Sequence, residues 1–342
     1  MSTVLITGVA GFIGSNLARA LLARGCHVRG LDDLSTGSMG NLAGILAGME
    51  FWQGDLCDAS LLGGLCAGVD CIFHEAAIAS VPRSIDNPVE SNRVNVDGTV
   101  LLLQMAQRCG VRRVVFAASA AAYGNSSELP QRESMLPQAL SPYGAQKLAC
   151  EHYLQSFWHV HGLETVGLRY FNVFGPRQDP SSPYSGVLSI FIDNLLAGRE
   201  VCIYGDGQNS RDFTYIDNVV QANLLAMQVQ GPAVTGKVFN VATGRSTTLL
   251  EVYEAARRVI GGEPRLRFAA PRAGDPRASC ADISLAGEVL GYVPTVFMEE
   301  GIRRTVDWYR GRRREVTPGP RLPEASRASP GQMENASEVS GA

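Results

Sequence analysis

The sequence has no run of about 18 apolar residues and no basic stretch leading into an apolar core near its start. Neither a membrane-spanning helix nor an export signal is therefore expected. It has no surplus of charge either: 30 Lys and Arg against 33 Asp and Glu leave a net charge of −3, which gives no general attraction to nucleic acid or anionic lipid. The eight cysteines (Cys26, Cys57, Cys66, Cys71, Cys109, Cys150, Cys202 and Cys280) include no C-x-x-C pair. They read as small hydrophobes of a reducing cytoplasm, with neither a disulfide framework nor a zinc site. No internal repeat is visible. What the chain does have is bulk. Its 342 residues, 45% of them hydrophobic, suffice for one large domain or two modest ones without a metal or disulfide staple.

Short apolar runs alternate with helical stretches through the first half. Val4–Ile6, His27–Leu31, Phe51–Gln53, Cys71–Phe73 and Val114–Phe116 read as strands; Phe12–Arg24 and Asn87–Cys109 read as helices; Glu164–Tyr170 adds a later strand. Nearly all-apolar strands separated by helices argue for a parallel sheet covered on both faces. From about Gly175 Pro, Gly, Ser and Tyr become frequent, suggesting a smaller mixed lobe that includes a helix over Leu249–Ile260. From Gly311 apolar residues become scarce and a tail is expected. The expected architecture is α/β: a doubly wound parallel sheet over residues 1–175, completed by later segments, a substrate lobe over 176–310, and a tail over 311–342.

Residues 7–14 read Thr7-Gly8-Val9-Ala10-Gly11-Phe12-Ile13-Gly14, a G-x-x-G-x-x-G between the first strand and the first helix. Glycines there permit a tight turn and close backbone approach to a pyrophosphate, and the helix N-terminus offers free N–H groups and partial positive charge. A glycine-rich turn without a ligand is the plain alternative, and the strand–turn–helix context favours the nucleotide. Asp32-Asp33 ends the second strand, where a carboxylate accepts the adenosine ribose hydroxyls and repels a 2′-phosphate, so Asp32 points to NAD rather than NADP. Asp55 and Leu56, just past the third strand, fall where an adenine edge would lie.

Ser141-Pro142-Tyr143-Gly144-Ala145-Gln146-Lys147 opens with an N-cap serine and a proline at the first helical position. Tyr143 and Lys147 then share one helix face. Half-ionising a tyrosine at pH 7 takes about 3 pKa units, or roughly 4 kcal/mol, which a lysine one turn away and a cationic nicotinamide can largely supply. The spacing alone is common on helices. Ser119 adds weight, because it lies at the C-terminal end of the strand Val111–Ala118, the edge that faces the cofactor in such sheets. A hydroxyl there can hold a substrate oxygen during proton transfer.

Together Thr7–Gly14, Ser119 and the Tyr143/Lys147 pair resemble extended short-chain dehydrogenases/reductases, specifically nucleotide-sugar 4-epimerases of the UDP-glucose/UDP-N-acetylglucosamine kind. Asp32–Gly37, Asn95–Thr99, Arg169–Asn172 and Ser210–Phe213 fit the same pattern, over about residues 2–310. The resemblance implies a Rossmann domain with a small C-terminal lobe, bound NAD, a UDP-sugar substrate and a homodimer built through a four-helix bundle. It implies that Tyr143 takes the proton of the sugar 4-hydroxyl, that Lys147 holds the nicotinamide ribose, and that Ser119 shares the hydroxyl hydrogen bond. It places Gly8, Gly11, Phe12, Ile13, Gly14, Asp32, Asp55, Leu56, Ala76 and Asn95 around the cofactor, and Asn172, Tyr204, Arg211, Arg272 and Ser279 around the nucleotide sugar.

Two departures bear on the reaction. Where the family carries Ser or Thr two residues after the serine, this chain has Ala121, and Ser119–Tyr123 contains no acidic residue. That removes the proton donor dehydratases use. Ser279 stands where family members confined to simple hexoses have a tyrosine, leaving room for a 2-acetamido group; Arg177–Pro180 and Pro183–Gly186 resemble the branch that prefers N-acetylated sugars. The expected substrates are UDP-GlcNAc and UDP-GalNAc, with UDP-Glc and UDP-Gal as further candidates. A UDP-uronic acid 4-epimerase or decarboxylase and an idle NAD-binding module are the alternatives. His74 beside Glu75 lacks partners at metal-ligand spacing, so no metal is expected, and the basic run Arg310–Arg314 reads as a solvated helix end.

Overall fold

The computed structural model describes residues 2–180, 186–262, 265–271 and 277–316, with side chains to residue 313. Seven strands form the central sheet: β1 (Thr3–Thr7), β2 (His27–Asp32), β3 (Glu50–Gln53), β4 (Cys71–His74), β5 (Arg113–Ser119), β6 (Glu164–Tyr170) and β7 (Lys237–Val241). All are parallel, in the order β7-β6-β5-β4-β1-β2-β3. The order reverses between β1 and β4. That crevice outside the strand C-termini is where an open α/β sheet receives its ligand.

The alternation of side chains along each strand builds two cores. Val4 and Ile6 of β1 face one side, with Val115, Val166 and Val241, under helices α1 (Phe12–Ala23) and α6 (Ile216–Gln228). Leu5, Ile72, Val114 and Phe116 face the other, under α2 (Ala59–Cys66), α3 (Gly98–Arg108) and α4 (Pro142–His161). The first core continues into the second lobe through Phe174, Phe191 of α5 (Val187–Leu196), Tyr253 of α7 (Leu249–Ile260) and Ile302 of α8 (Met298–Val316). That lobe carries three two-stranded sheets, among them Val201–Tyr204 with Leu266–Ala269 and Ser210–Asp212 with Ser246–Thr248. α7 starts on a capping box, Thr248 with Glu251.

Two segments depart from the sequence reading. The helix expected over Asn87–Cys109 is three pieces: Pro88–Asn92, a wider π turn over Arg93–Asp97, and α3. The cause is local. Asn95 turns inward to bond other segments, and Gly98 packs so closely that a Cβ there would sit 2.8 Å from Leu56 Cδ2. Residues 311–316, expected to belong to a tail, are helical, because α8 continues through Gly311 to Val316; residues 317–342 lie outside the described residues.

Candidate active site

The glycine loop joins β1 to α1 with no room for a side chain at Gly8 or Gly14, while Val9 and Ala10 between them pack into the core. Gly8 has φ +71°, and a Cβ on it would lie 2.7 Å from the Ala76 nitrogen; a Cβ on Gly14 would lie 2.2 Å from the Gly8 oxygen. Asp32, nearly buried at the end of β2, accepts from Ala10 N through Oδ2 and from Leu34 N through Oδ1, both at 2.8 Å. Burial raises its carboxyl above the ordinary carboxylate value, opposed by those amides. A Cβ on Gly37 would lie 2.7 Å from Asp32 Oδ1, which explains the glycine in the Ser35-Thr36-Gly37 stretch. Asn41 Nδ2 and Ser38 N both donate to the Ala10 carbonyl, at 2.9 and 3.0 Å, pinning the segment after β2 onto the loop.

Behind the loop runs a directed hydrogen-bond chain. The single hydroxyl proton of Thr99 goes to the Asn95 carbonyl at 2.6 Å, so Thr99 accepts from His74 Nε2 at 2.9 Å. His74 Nδ1 is then the acceptor from the Thr7 hydroxyl at 2.7 Å, and Thr7 Oγ1 accepts from Ala76 N at 3.3 Å. Burial lowers the His74 imidazole to about 3, so it stays neutral. Among the described residues no group of His, Cys, Asp or Glu is placed to hold a metal ion.

Of the residues expected around a dinucleotide, Gly8, Gly11, Phe12, Ile13, Gly14, Asp32 and Ala76 come together at this loop. Asn95 does not present its amide there. Oδ1 accepts from Ile78 N at 2.8 Å, while Nδ2 donates to Ile78 O at 3.2 Å and Gln146 Oε1 at 2.8 Å. Its place is structural: it ties the segment after β4 to α4, one residue before Lys147. Asp55 is exposed and accepts from Cys57 N at 2.8 Å and from Arg93 at 3.0 Å, contacts that hold its carboxyl below the ordinary range, while Leu56 is buried beside it.

α4 starts as expected: Ser141 caps it by accepting from Gly144 N at 3.1 Å. Gly144 allows close docking, since a Cβ there would lie 2.9 Å from the Ala121 carbonyl. Lys147 is buried, donates from Nζ to the Ala117 carbonyl at 2.7 Å, and lies over the Phe116 ring at 4.5 Å and the Tyr143 ring at 5.9 Å. Tyr143 is half-buried on the same helix face. Ser119 is the last residue of β5, and its hydroxyl accepts from Ala121 N at 3.1 Å. Lys147 bonds β5 two residues before Ser119 and Gly144 docks on Ala121 two residues after it, so the helix carrying Tyr143 lies against the strand end that carries Ser119.

On the lobe side, Asn172 (φ +35°) donates from Nδ2 to the Asp212 carbonyl at 3.0 Å and to Ser279 Oγ at 3.5 Å, so two expected substrate residues are neighbours. Asp212 is fully buried and gathers the Thr243, Gly244 and Ala281 amides at 2.9, 2.9 and 3.2 Å. Next to it Arg211 folds back onto the Ser210 carbonyl at 2.8 Å. Tyr204 is 37% exposed at the end of its strand. Arg272 and residues 183–185 lie outside the described residues.

Sequence reading weighed one group here only beside His74 as a metal ligand and set it aside. Glu75, the residue after β4, has its Oε2 buried without a hydrogen-bond partner among the described residues and its Oε1 accepting from the Tyr170 hydroxyl at 3.0 Å. The only signal in the sequence was an acid at the end of an apolar strand.

A parallel doubly wound sheet with a tight glycine turn after β1, a buried carboxylate at the end of β2 and an α4 carrying Tyr143 and Lys147 docked at the end of β5 is an arrangement of the short-chain dehydrogenase/reductase type. The chain matches the NAD dependent epimerase/dehydratase family over residues 4–242, and it belongs to that family. It is 43% identical over 312 residues to a UDP-glucose 4-epimerase of Mycolicibacterium smegmatis, covering 90% of this chain and 98% of the relative. Among solved structures it resembles the UDP-N-acetylglucosamine 4-epimerase of Methanobrevibacter ruminantium in complex with UDP-N-acetylmuramic acid (TM-score 0.87, 38% identity, 91% of this chain and 99% of that one). It also resembles the Thermus thermophilus UDP-glucose 4-epimerase in complex with NAD (TM-score 0.82, 38% identity, 90% and 99%). The turn is as tight as a dinucleotide loop requires, because a Cβ at Gly8 would meet the Ala76 backbone at 2.7 Å and one at Gly14 the Gly8 oxygen at 2.2 Å.

Proposed function

We propose that this protein is an NAD-dependent 4-epimerase that interconverts UDP-GlcNAc and UDP-GalNAc, and UDP-Glc and UDP-Gal as well. The reading rests on the docking of α4, with Tyr143 and Lys147 on one face, against the C-terminal end of β5 that carries Ser119, and on the pairing of Asn172 with Ser279 in the second lobe. NAD, when bound, supplies a reversible hydride acceptor for C4 of the sugar. Tyr143 takes the proton of the 4-hydroxyl as C4 is oxidised and returns it when the opposite epimer forms. Lys147 sets positive charge beside the phenol and fixes α4 on β5 through Ala117. Ser119 shares the hydrogen bond to the reacting oxygen.

Inversion needs the 4-keto sugar to present its other face. Asn172, Arg211 and Tyr204 hold the nucleotide end, the arginine through the fork that suits phosphate oxygens, so the hexose can turn while UDP stays anchored. The segment Ala120–Tyr123 carries no acid, which leaves elimination of water without a proton donor. At the sugar end Ser279 is small where a tyrosine would fill the space of a 2-acetamido group.

Exposed apolar side chains support a homodimer. Ile85 of the short helix Val81–Asp86, Val89 of Pro88–Asn92, and Tyr153 and Val160 of α4 itself are 58%, 83%, 41% and 71% exposed, apolar surface that a partner's helices would cover. The test of specificity is an assay with UDP-GlcNAc, UDP-GalNAc, UDP-Glc, UDP-Gal and UDP-glucuronate. Turnover of the acetylated pair that Ser279→Tyr abolishes, with the simple pair retained, is the expected result. Restriction of the native protein to the simple pair, or to the uronate, would overturn it.

A further inference from the structure

The reaction above leaves the Glu75 carboxyl unused, and its surroundings are unusual. β4 ends at His74, and alternation sends the next side chain to the opposite face, toward β6 and α6. The Glu75 amide donates to the Thr7 carbonyl at 3.1 Å, and the adjoining Ala76 amide packs on Gly8, so the residue is part of the wall of the dinucleotide loop. Tyr170 of β6 donates to Oε1 at 3.0 Å. Asn223 of α6 in turn donates to the Tyr170 oxygen at 2.8 Å, so the donors run one way, from α6 to the carboxyl. Oε2 has no partner among the described residues and no access to water. Among the described residues the cation acting on the group is Lys147 of α4. Enclosure raises the carboxyl to about 7, opposed by the Tyr170 hydrogen bond and by Lys147.

The geometry points to Glu75 as a positioning residue that sets the redox poise of the nicotinamide: its carboxylate favours the cationic oxidised ring, and its neutral acid the uncharged reduced ring. This rests on the NAD-dependent reading and deepens it. Reduction of the ring takes up a hydride, two electrons and one proton, and cancels one positive charge. Losing that charge makes a buried carboxylate less tolerable, so Glu75 binds one further proton from solvent. An epimerase must give its hydride back in every cycle, which requires neither redox state to be strongly preferred.

The test is a mediator-dye potentiometric titration of the NAD-loaded protein without sugar, read from the near-ultraviolet absorbance of reduced nicotinamide between pH 6 and 8. With Glu75 taking part, the reduction equilibrium at fixed potential falls by clearly more than tenfold per pH unit near neutrality, up to about a hundredfold where a full second proton is bound; with the ring's own proton alone it falls by about tenfold. Glu75→Gln keeps the Tyr170 hydrogen bond, cannot titrate, and is expected to show the tenfold dependence. Equal slopes in the two proteins would overturn the inference while leaving the epimerase reading intact. Should the variant fail to fold, a tenfold slope in the native protein overturns it just as well. Failure of the native protein to bind NAD at all would remove both.

Discussion

Lys147 reaches from α4 to the Ala117 carbonyl of β5 at 2.7 Å, and this one bond fixes the helix that carries Tyr143 to the strand that ends in Ser119. Lys147→Met removes the bond and the charge while keeping the apolar stem. Turnover of UDP-sugars is expected to fall by about 10²–10⁴-fold with folding retained, read by product formation alongside thermal unfolding. Lys147→Arg is expected not to rescue it, because a fork-shaped guanidinium does not fit a buried slot built for an ammonium.

Gly144 is a spacing residue. Its Cβ would meet the Ala121 carbonyl at 2.9 Å and Ala139 Cβ at 3.2 Å, so Gly144→Ala pushes α4 away from the end of β5. The expected cost is about 1–3 kcal/mol of stability, as for other overpacked contacts, with kcat lowered more than nucleotide binding. Denaturant unfolding and a dinucleotide-binding titration separate the two effects.

How much of this was legible in the sequence differs by element. Apolar strands and the Ser141–Pro142 helix start are local signals, and β6 and α7 fall on the expected residues. The π turn at Arg93–Asp97 was hidden because its cause, Asn95 bonding Ile78 and Gln146, joins segments that only the fold brings together. The same holds at the site: the glycines and the Tyr143/Lys147 pair lie close in sequence, whereas the chain from Thr7 through His74 to Thr99 and the enclosure of Glu75 do not.

His74 and Glu75 make opposite contributions to stability as pH changes. The folded His74 titrates at about 3, below its ordinary value, so the unfolded chain binds a proton the folded one refuses and stability is lost as pH falls below about 6.5. The folded Glu75 titrates at about 7, above its ordinary value, so its contribution is fully present at acid pH and is lost as pH rises from about 4.5 toward 7. Glu75→Gln is expected to gain up to about 3 kcal/mol on the native protein between pH 5 and pH 8. Urea unfolding at the two pH values checks it; a constant difference would contradict it.

Glu151 and Arg169 form a buried bidentate pair, with Arg169 Nε at 2.9 Å and Nη2 at 2.6 Å from the two carboxylate oxygens and the guanidinium 4.7 Å over the Tyr123 ring. Glu151→Ala leaves that guanidinium buried and uncompensated. A loss of about 3–5 kcal/mol in unfolding free energy is expected, with the KM of any enzyme that remains folded unchanged.

The most direct test of the central claim is proton NMR of UDP-GlcNAc incubated with the NAD-loaded protein and with its Tyr143→Phe variant. The anomeric signal of UDP-GalNAc is expected to grow to equilibrium with the native chain and to form at least about 10²-fold more slowly with the variant. Undiminished interconversion by Tyr143→Phe, or none of any UDP-hexose by the native protein, would contradict the account.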